Sequence, residues 1–268
     1  MRNLYVTDIK RIIKDKLFLV TCILAGIFAI INPLLNKVLF EALGLDDMLD
    51  MLVNAKSMLF SSFLPGDNLG LIMPILIAIV VCKDFSQGTV RNKIISGNSR
   101  TAIFISHLLS AATVICGLML LHGLLTLGIS LCFFSYQPTD FTMSDLGYLL
   151  ASLGFEMLVY FAIAAIVTFI AANSKNMGIC ILLYLALSFG CSIIGAIFQV
   201  AVAFVEPETT SYYVIEFINS LNIYTSSLIG AGTTYTAKQI AYILIAPVAF
   251  GVGSTALGIL MFKRKNLK

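Results

Sequence analysis

Six long apolar segments dominate this sequence, and their length constrains the fold more than any other feature. A helix needs about 20 mostly apolar residues to cross the hydrocarbon core of a bilayer. The chain is 59% hydrophobic and 12% charged, whereas soluble domains have about 25% charged residues. We therefore predict an all-α integral membrane protein, with residues 1–268 in a single transmembrane domain. The six predicted transmembrane helices are Leu17–Asn36, Leu69–Cys82, Thr101–Phe134, Leu146–Ala172, Met177–Val205 and Lys238–Phe262.

Three of these segments invite a second interpretation. The second is short for a full crossing, and the third is long enough to project beyond the bilayer or to break at one of its glycines, Gly117, Gly123 and Gly128. The first follows a basic start, which is also typical of a cleaved signal peptide. Its apolar run of about 20 residues exceeds the usual 7–15 of such peptides, so we favour a permanent anchor.

Basic residues are distributed unevenly between the loops, and this predicts the orientation of the chain. If both termini are cytoplasmic, 14 of the 17 Lys and Arg residues fall on the cytoplasmic side, as the positive-inside rule requires. Ten of the 14 acidic residues then lie outside. We predict a multi-pass protein with both termini cytoplasmic. The basic ends follow from this topology and give no reason to expect nucleic acid as a partner.

The residues before the first segment can form an amphipathic helix. Apolar side chains recur there at the spacing of one helix face, and they are Tyr5, Ile9, Ile12, Ile13 and Leu17. The opposite face carries Asp8, Arg11, Lys14 and Asp15. We predict that residues 1–16 form an interfacial helix with basic side chains near anionic lipid headgroups. The alternative is a plain basic anchor.

The loop after the second segment, residues 83–100, carries signals for a short capped helix. Thr89 is a plausible N-cap, and Gly97 suits the left-handed residue that ends a helix. Val90, Ile94 and Ile95 give this helix one apolar face, and Ser99 can cap the third segment. A helix of about two turns is not stable alone in water. It therefore needs lipid headgroups or a soluble partner to pack against.

The same loop resembles the type-2 class of ABC exporter permeases, which export drugs, bacteriocins and antimicrobial peptides from bacteria. The matching residues are Asp84, Phe85, Gly88, Thr89, Val90, Arg91, Asn92, Lys93, Ser99, Arg100, Ile103, Phe104 and Ser106. The layout is similar too, with a basic amphipathic N-terminus, six spans and a long outer loop, residues 206–237, before the sixth. The resemblance implies that this outer loop forms short helices.

The resemblance also implies a mechanism. The loop helix would be a coupling helix that enters a groove of a cytoplasmic ATPase subunit, with the N-terminal helix as a second contact. The implied ATPase-coupling residues are Asp84, Phe85, Gly88, Thr89, Val90, Arg91, Ile94 and Arg100. The positive-inside rule alone explains the charges of Arg91, Lys93 and Arg100 equally well. It does not explain Gly88, Thr89 or the capped helix.

The resemblance further implies a transport subunit of the bacterial plasma membrane that moves an amphipathic substrate, such as a peptide, a drug or a lipid-like molecule, out of the cell. Its partners would be the ATPase, membrane lipid and a second permease subunit, identical or different. The sequence contains no GxxxxGK[ST] phosphate loop. We therefore expect no enzyme activity and no cofactor or metal in this chain, with ATP and Mg²⁺ bound by the partner ATPase.

Two features outside this loop remain open. Leu45 and residues 46–59 provide apolar side chains for a stripe, namely Leu45, Met48, Leu49, Leu52 and Leu59. Glu156 is the one clear carboxylate within a predicted span, and such residues are functional candidates by default. It would line the substrate path, bind a cationic substrate, pair with a group from a second subunit, or form a neutral hydrogen bond between helices. The alternative function is a stand-alone secondary transporter with Glu156 as its ion-coupling or substrate-binding carboxylate, although such proteins usually contain internal repeats, which we do not find.

Overall fold

Helices account for 86% of the residues that the structure describes, and no strand occurs among them. The structure is a computed structural model, and it describes residues 2–44, 53–66, 68–86, 88–136, 142–174, 176–207, 209–230 and 235–265. The helices are α1 (Arg2–Lys14), α2 (Lys16–Ala42), α3 (Ala55–Ser62), α4 (Asn68–Ser86), α5 (Thr89–Ile95), α6 (Arg100–Ser130), α7 (Met143–Asn173), α8 (Met177–Ala203), α9 (Thr210–Ser220), α10 (Ile223–Gly230) and α11 (Ala237–Arg264).

Five helices are long and apolar enough to cross a membrane, namely α2, α6, α7, α8 and α11. The chain bends by 56° between Leu69–Phe85 and Thr89–Ile95, and this bent pair passes the same test when it is taken as one span. The number of candidate spans among the described residues is therefore five or six. The predicted second segment is helical and longer than expected. The third does not break, because α6 continues through Gly117, Gly123 and Gly128.

The core of the bundle lies around α6 and α7. Of their most apolar stretches, 67% and 72% is buried, whereas the corresponding values for α2 and α8 are 22% and 17%. Helix α7 packs against α4, α6 and α11. A Cβ atom at Gly251 of α11 would lie 3.6 Å from the Cα atom of Ala162 in α7, so a small residue allows these two backbones to approach closely.

The course of the chain defines two ends of the bundle. The first turn of α6 and the last turns of α7 and α11 lie together with α1 and α5, and we call this the basic end. Helices α3, α9 and α10 lie at the opposite end. Residues 45–52 of the predicted apolar stripe, and residues 208 and 231–234 of the predicted outer loop, are outside the described residues.

The sequence-based assignment of faces on α1 is partly wrong. Ile12 is buried as predicted, but the other buried residue of the helix is Asp8, which was assigned to the polar face. Ile13 was assigned to the apolar face, yet 49% of its surface is exposed. The physical reason is that Asp8 pairs with the Lys93 ammonium group and accepts a hydrogen bond from the Ser106 hydroxyl, both on neighbouring helices, which compensates for its removal from water.

Candidate functional site

Glycines with left-handed backbone flank α5 on both sides. Gly88 occupies the N-cap position with φ 74° and makes no side-chain cap, so Thr89 is the first helical residue and its prediction as the N-cap is wrong. Gly97 has φ 86° and follows the C-cap residue Ser96, and its amide donates to the carbonyl oxygen of Ile94 at 2.9 Å, so it ends α5 as predicted. The hydroxyl of Ser99 accepts a hydrogen bond from the Ala102 amide at 3.2 Å and caps α6, also as predicted.

The two faces of α5 have different surroundings. Val90 is fully buried in a small apolar cluster, and Ile94 packs at its edge. The other members of this cluster include Ile103, Phe104, Ala172 and Phe262. Ile95, predicted on the same apolar face, is instead 74% exposed, because five residues after Val90 a helix has turned well away from that face. Arg91 and Asn92 are exposed as well.

Two buried carboxylates at the basic end converge on one lysine. Asp8 of α1 and Asp84 of α4 are both almost fully buried. The Nζ atom of Lys93 in α5 lies 2.6 Å from Asp8 Oδ1 and 3.3 Å from Asp84 Oδ2. Arg11 of α1 forms a second ion pair with Asp84. The side chains of α1, α4 and α5 are therefore joined by charge-assisted hydrogen bonds, which are stronger than neutral ones.

Helix α6 contributes two further side chains to this arrangement. The hydroxyl of Ser106 donates to Asp8 Oδ2 at 2.7 Å. The ring of His107 is buried, with Nε2 3.4 Å from both Lys93 Nζ and Asp84 Oδ2, and Nδ1 3.7 Å from Asp8 Oδ2. The Phe85 ring packs beside His107 with centroids 5.5 Å apart. We call Asp8, Arg11, Asp84, Lys93, Ser106 and His107 the polar cluster.

Three members of the polar cluster have the ligand types of a metal site. Ligand atoms of Asp8, Asp84 and His107 all lie within 4.8 Å of one another. The ammonium group of Lys93, however, contacts all three side chains, as a bound cation would. Two carboxylates facing Lys93 and Arg11 also balance in charge. The arrangement therefore has the chemistry of a buried ion-pair network whose cation belongs to the chain.

Burial and ion pairing have opposite effects on the pKa values of Asp8 and Lys93. Burial alone would raise the pKa of Asp8, but His107, Lys93 and the Ser106 hydroxyl outweigh it, so this pKa lies below the ordinary value of 3.8. Burial lowers the pKa of Lys93 below its ordinary value of 10.5, and the hydrogen bond to Asp8 opposes that change. The carboxylate and the ammonium group thus each favour the charged form of the other.

Basic side chains also tie the start of α6 to the ends of two other helices. Arg100 donates to the carbonyl oxygens of Phe262, Lys263 and Lys265 at 3.3, 2.8 and 2.7 Å. The Nζ atom of Lys265 donates to the carbonyl oxygen of Ala172 at 2.7 Å, at the end of α7. Cations are favourable at helix C-termini because of the helix dipole. The start of α6 is therefore fixed to the end of α11, which Lys265 in turn joins to the end of α7.

Glu156 lies apart from these residues. It is fully buried in α7, where its Oε2 accepts a hydrogen bond from the Ser227 hydroxyl of α10 at 2.7 Å. Its Oε1 has no hydrogen-bond partner among the described residues. A Cβ atom at Gly230 would lie 3.2 Å from this oxygen, so the end of α10 packs directly against the carboxyl group.

A cavity of about 720 Å³ opens between α2, α3, α8 and α10. Its size falls within the range of about 300–1,000 Å³ that is usual for ligand sites. Apolar groups such as Met58 and Leu228 alternate with polar ones, and none of the described residues that line it is charged. Glu156 is not among the lining residues. The polar lining residues are Asn32, Asn36, Ser57, Ser61, Ser192, Gln199, Tyr224 and Thr225.

The predicted coupling residues fall into two groups in the structure, one packed against the bundle and one exposed. Asp84, Phe85 and Val90 are buried or packed in the bundle, and Arg100 fixes neighbouring helix ends, whereas Gly88 and Arg91 are exposed. The roles of Asp8 and His107 in the polar cluster were missed. Lys93 and Ser106 belong to the motif, so their presence was a signal, but nothing local indicated their partner Asp8, 85 positions from Lys93 in sequence.

No family model matches the chain, and no curated protein matches it either. Its class therefore follows from its architecture alone. The five or six long apolar helices indicate a multi-pass membrane protein. At the basic end of the bundle, the polar cluster connects α1, α4 and α5 to the central helix α6.

Proposed function

We propose that the chain is the membrane-spanning permease subunit of an ATP-driven exporter, similar to the type-2 ABC class, and that a separate cytoplasmic ATPase subunit powers it. The observation that carries this proposal is the two-sided character of α5. Its inner side is held by Val90 and Lys93, while Arg91, Asn92 and Ile95 protrude from the bundle. A rigidly held helix with an exposed, partly apolar face suits a docking element.

The proposed topology has six spans, with α4 as the second crossing and the basic end in the cytoplasm of a bacterial cell. It is supported by the location of α1, α5 and the last turn of α11 at the same end, since basic residues concentrate on the cytoplasmic side. Helix α1 would lie along the membrane surface beside α5. Helices α9 and α10 would then be the short outer helices before the sixth span.

The polar cluster gives α5 a path for transmitting force. A push on α5 by the ATPase reaches α1 through Asp8, α4 through Asp84 and α6 through His107, because all three contact Lys93. Packed elements joined in this way move as a rigid body rather than unfolding separately. The chain would then convert closure of the ATPase dimer into rearrangement of its spans.

The lining of the 720 Å³ cavity is an argument for an amphipathic substrate. Its amide and hydroxyl groups can bind uncharged polar parts, and its apolar groups can hold a hydrocarbon part. It opens between α2 and α8, which are the least buried long helices and the faces where a second permease subunit would approach. Glu156 acts indirectly in this proposal, because Ser227 links it to α10, whose Thr225 and Leu228 line the cavity.

One observation favours the alternative of a stand-alone secondary transporter, namely the unpartnered Oε1 atom of the buried Glu156. Such an atom could bind a coupling ion. The alternative and the proposal differ in one respect that can be measured, since only the exporter requires an ATPase at the protruding face of α5.

Site-specific photocrosslinking in native membranes tests the proposal. A photoreactive phenylalanine analogue at Ile95 should crosslink to a polypeptide that mass spectrometry identifies by its GxxxxGK[ST] phosphate loop. The control is the same analogue at Ile193, an exposed residue of α8, which should give no such adduct. Equal crosslinking at both positions, or none to a nucleotide-binding protein at Ile95, would overturn the assignment.

A further inference from the structure

Two hydroxyl groups on the buried face of α6, those of Thr126 and Ser130, have no hydrogen-bond partner among the described residues. Both residues are almost fully buried, with 2% and 0% of their surface exposed. Hydroxyl groups within helices can donate to the carbonyl oxygen of the preceding turn, as Thr113 does to Leu109 at 2.8 Å in the same helix. A buried hydroxyl without a partner is costly, so these two groups point to a bound ligand.

The neighbouring helix α2 offers a hydrogen-bond acceptor at the same level. Helix α2 packs against α6, and His122 Nδ1 lies 3.1 Å from the carbonyl oxygen of Ala25. Both helices begin near the basic end and run in the same direction. Each turn of α6 beyond His122 therefore faces the corresponding turn of α2 beyond Ala25. This register places Thr126 opposite Ala29.

The carbonyl oxygen of Ala29 lacks its usual helical donor. In an α-helix this oxygen accepts from the amide four residues later, but that residue is Pro33, which has no N–H group. Ala29 and Pro33 are both buried on α2, so bulk solvent does not reach the oxygen. In membrane helices, hydroxyl groups of neighbouring helices or ordered waters pair with the carbonyl groups that a proline frees.

We propose that one ordered water molecule binds between α2 and α6, where it donates to the Ala29 carbonyl oxygen and contacts the hydroxyls of Thr126 and Ser130, one turn apart. Buried waters typically make about three hydrogen bonds to polar groups that would otherwise be unpaired, and these three groups supply that number. Water fits better than a metal ion, because these groups are neutral, whereas Ca²⁺ and Mg²⁺ sites usually include carboxylates. The water replaces the missing amide of Pro33.

A double-mutant cycle on the purified full chain tests this proposal, with the unfolding temperature as the measurement. Thr126→Val removes one hydroxyl that holds the water and should lower this temperature by about 2–4 °C. Pro33→Ala restores the amide that pairs with the Ala29 carbonyl oxygen, so in that background Thr126→Val should lower it much less. The control is Thr168→Val in α7, which also removes a buried hydroxyl without a partner among the described residues and should act equally in both backgrounds.

An equal loss from Thr126→Val in both backgrounds would overturn the proposal. If Pro33→Ala does not fold, a high-resolution crystal structure of the full chain decides. One solvent peak should lie within about 3.2 Å of both the Ala29 carbonyl oxygen and Thr126 Oγ1; no peak, or a direct hydrogen bond between these groups, would contradict the assignment. Replacing Na⁺ by choline in the buffer should leave the unfolding temperature unchanged. A loss of stability without Na⁺ that Thr126→Val abolishes would show a cation at the site instead of water.

Discussion

The two ends of the bundle both bury carboxylates, but they compensate for this burial differently. At the basic end, Asp8 and Asp84 face Lys93 and Arg11, so each negative charge has a positive neighbour. At the opposite end, Glu156 accepts one hydrogen bond, from the Ser227 hydroxyl, and its other oxygen has no partner among the described residues. A buried charge pair is strongly destabilised when one member is removed, whereas a single neutral hydrogen bond contributes about 1 kcal/mol.

This difference indicates two kinds of helix contact. The contacts among α1, α4, α5 and α6 are costly to separate and suit a joint that must transmit force without opening. The contact between α7 and α10 contains one neutral hydrogen bond to Glu156, which contributes about 1 kcal/mol and is therefore weaker than the charged contacts. If the proposed function is correct, the stiff contact lies beside the ATPase and the compliant one beside the substrate cavity.

The largest expected effect comes from removing the cation of the polar cluster. Lys93→Met leaves Asp8 and Asp84 buried with Arg11 as the remaining cation of the polar cluster, and should lower the free energy of unfolding by about 3–5 kcal/mol. Thermal unfolding of the purified protein in detergent measures this loss. Lys10→Met, at an exposed position of α1, is the control. A change no larger than that of the control would show that the cluster is not a stiff joint.

A smaller effect is expected at Gly88, where the chain bends before α5; we call this position the hinge. Gly88→Ala forces a side chain into left-handed backbone at φ 74° and should cost about 1–2 kcal/mol. The same substitution at Gly26 in α2, where a Cβ atom meets nothing within 4 Å, should instead stabilise by up to about 1 kcal/mol, because the backbone there is helical. Opposite signs in the two unfolding measurements would support the hinge; equal signs would contradict it.

Acidification should destabilise the basic end, because it protonates the Asp8 carboxylate. Its pKa is lower in the folded protein than its ordinary value of 3.8, so its stabilising contribution is fully present above that value and is lost as the pH falls through the folded-state pKa. The free energy of unfolding should therefore fall below about pH 4, and Asp8→Asn should remove this part of the pH dependence. If the free energy of unfolding of the variant fell in the same way below about pH 4, groups other than Asp8 would be responsible for the loss.

The smallest effect is expected at the opposite end. Glu156→Gln keeps an oxygen that accepts from Ser227 and should change the free energy of unfolding by less than about 1 kcal/mol. Asp8→Asn, the matching change in the polar cluster, should cost more. If the glutamine variant were the more damaging of the two, the contrast between the ends would be reversed.

Local signals in the sequence predicted local structure well. The end of α5 at Gly97 and the cap of α6 at Ser99 depend on neighbouring residues, so both could be found without knowing the fold. Thr89 was misassigned because Gly88, one position earlier, can adopt the left-handed backbone that starts the helix without a side-chain cap. The same spacing rules correctly buried Val90 but placed Ile95 on the wrong side.

The polar cluster could not be found in this way, because its members come from four helices. Asp8 looked like a solvent-facing residue on an amphipathic helix, and only the arrival of Lys93 and Ser106 from distant positions makes its burial favourable. Glu156 stood out in the sequence because a carboxylate interrupts an apolar segment. Its partner Ser227 did not, since serine is common in such helices and its contact depends on how α10 folds back.

The positive group at the centre of the cluster is carried by a lysine side chain rather than recruited from solution. Formation of the polar cluster should therefore not change when chelators or divalent ions are added. An amine that is buried between two carboxylates is also shielded from acylating reagents. The rate at which such a reagent modifies Lys93 would then report how often the polar cluster opens.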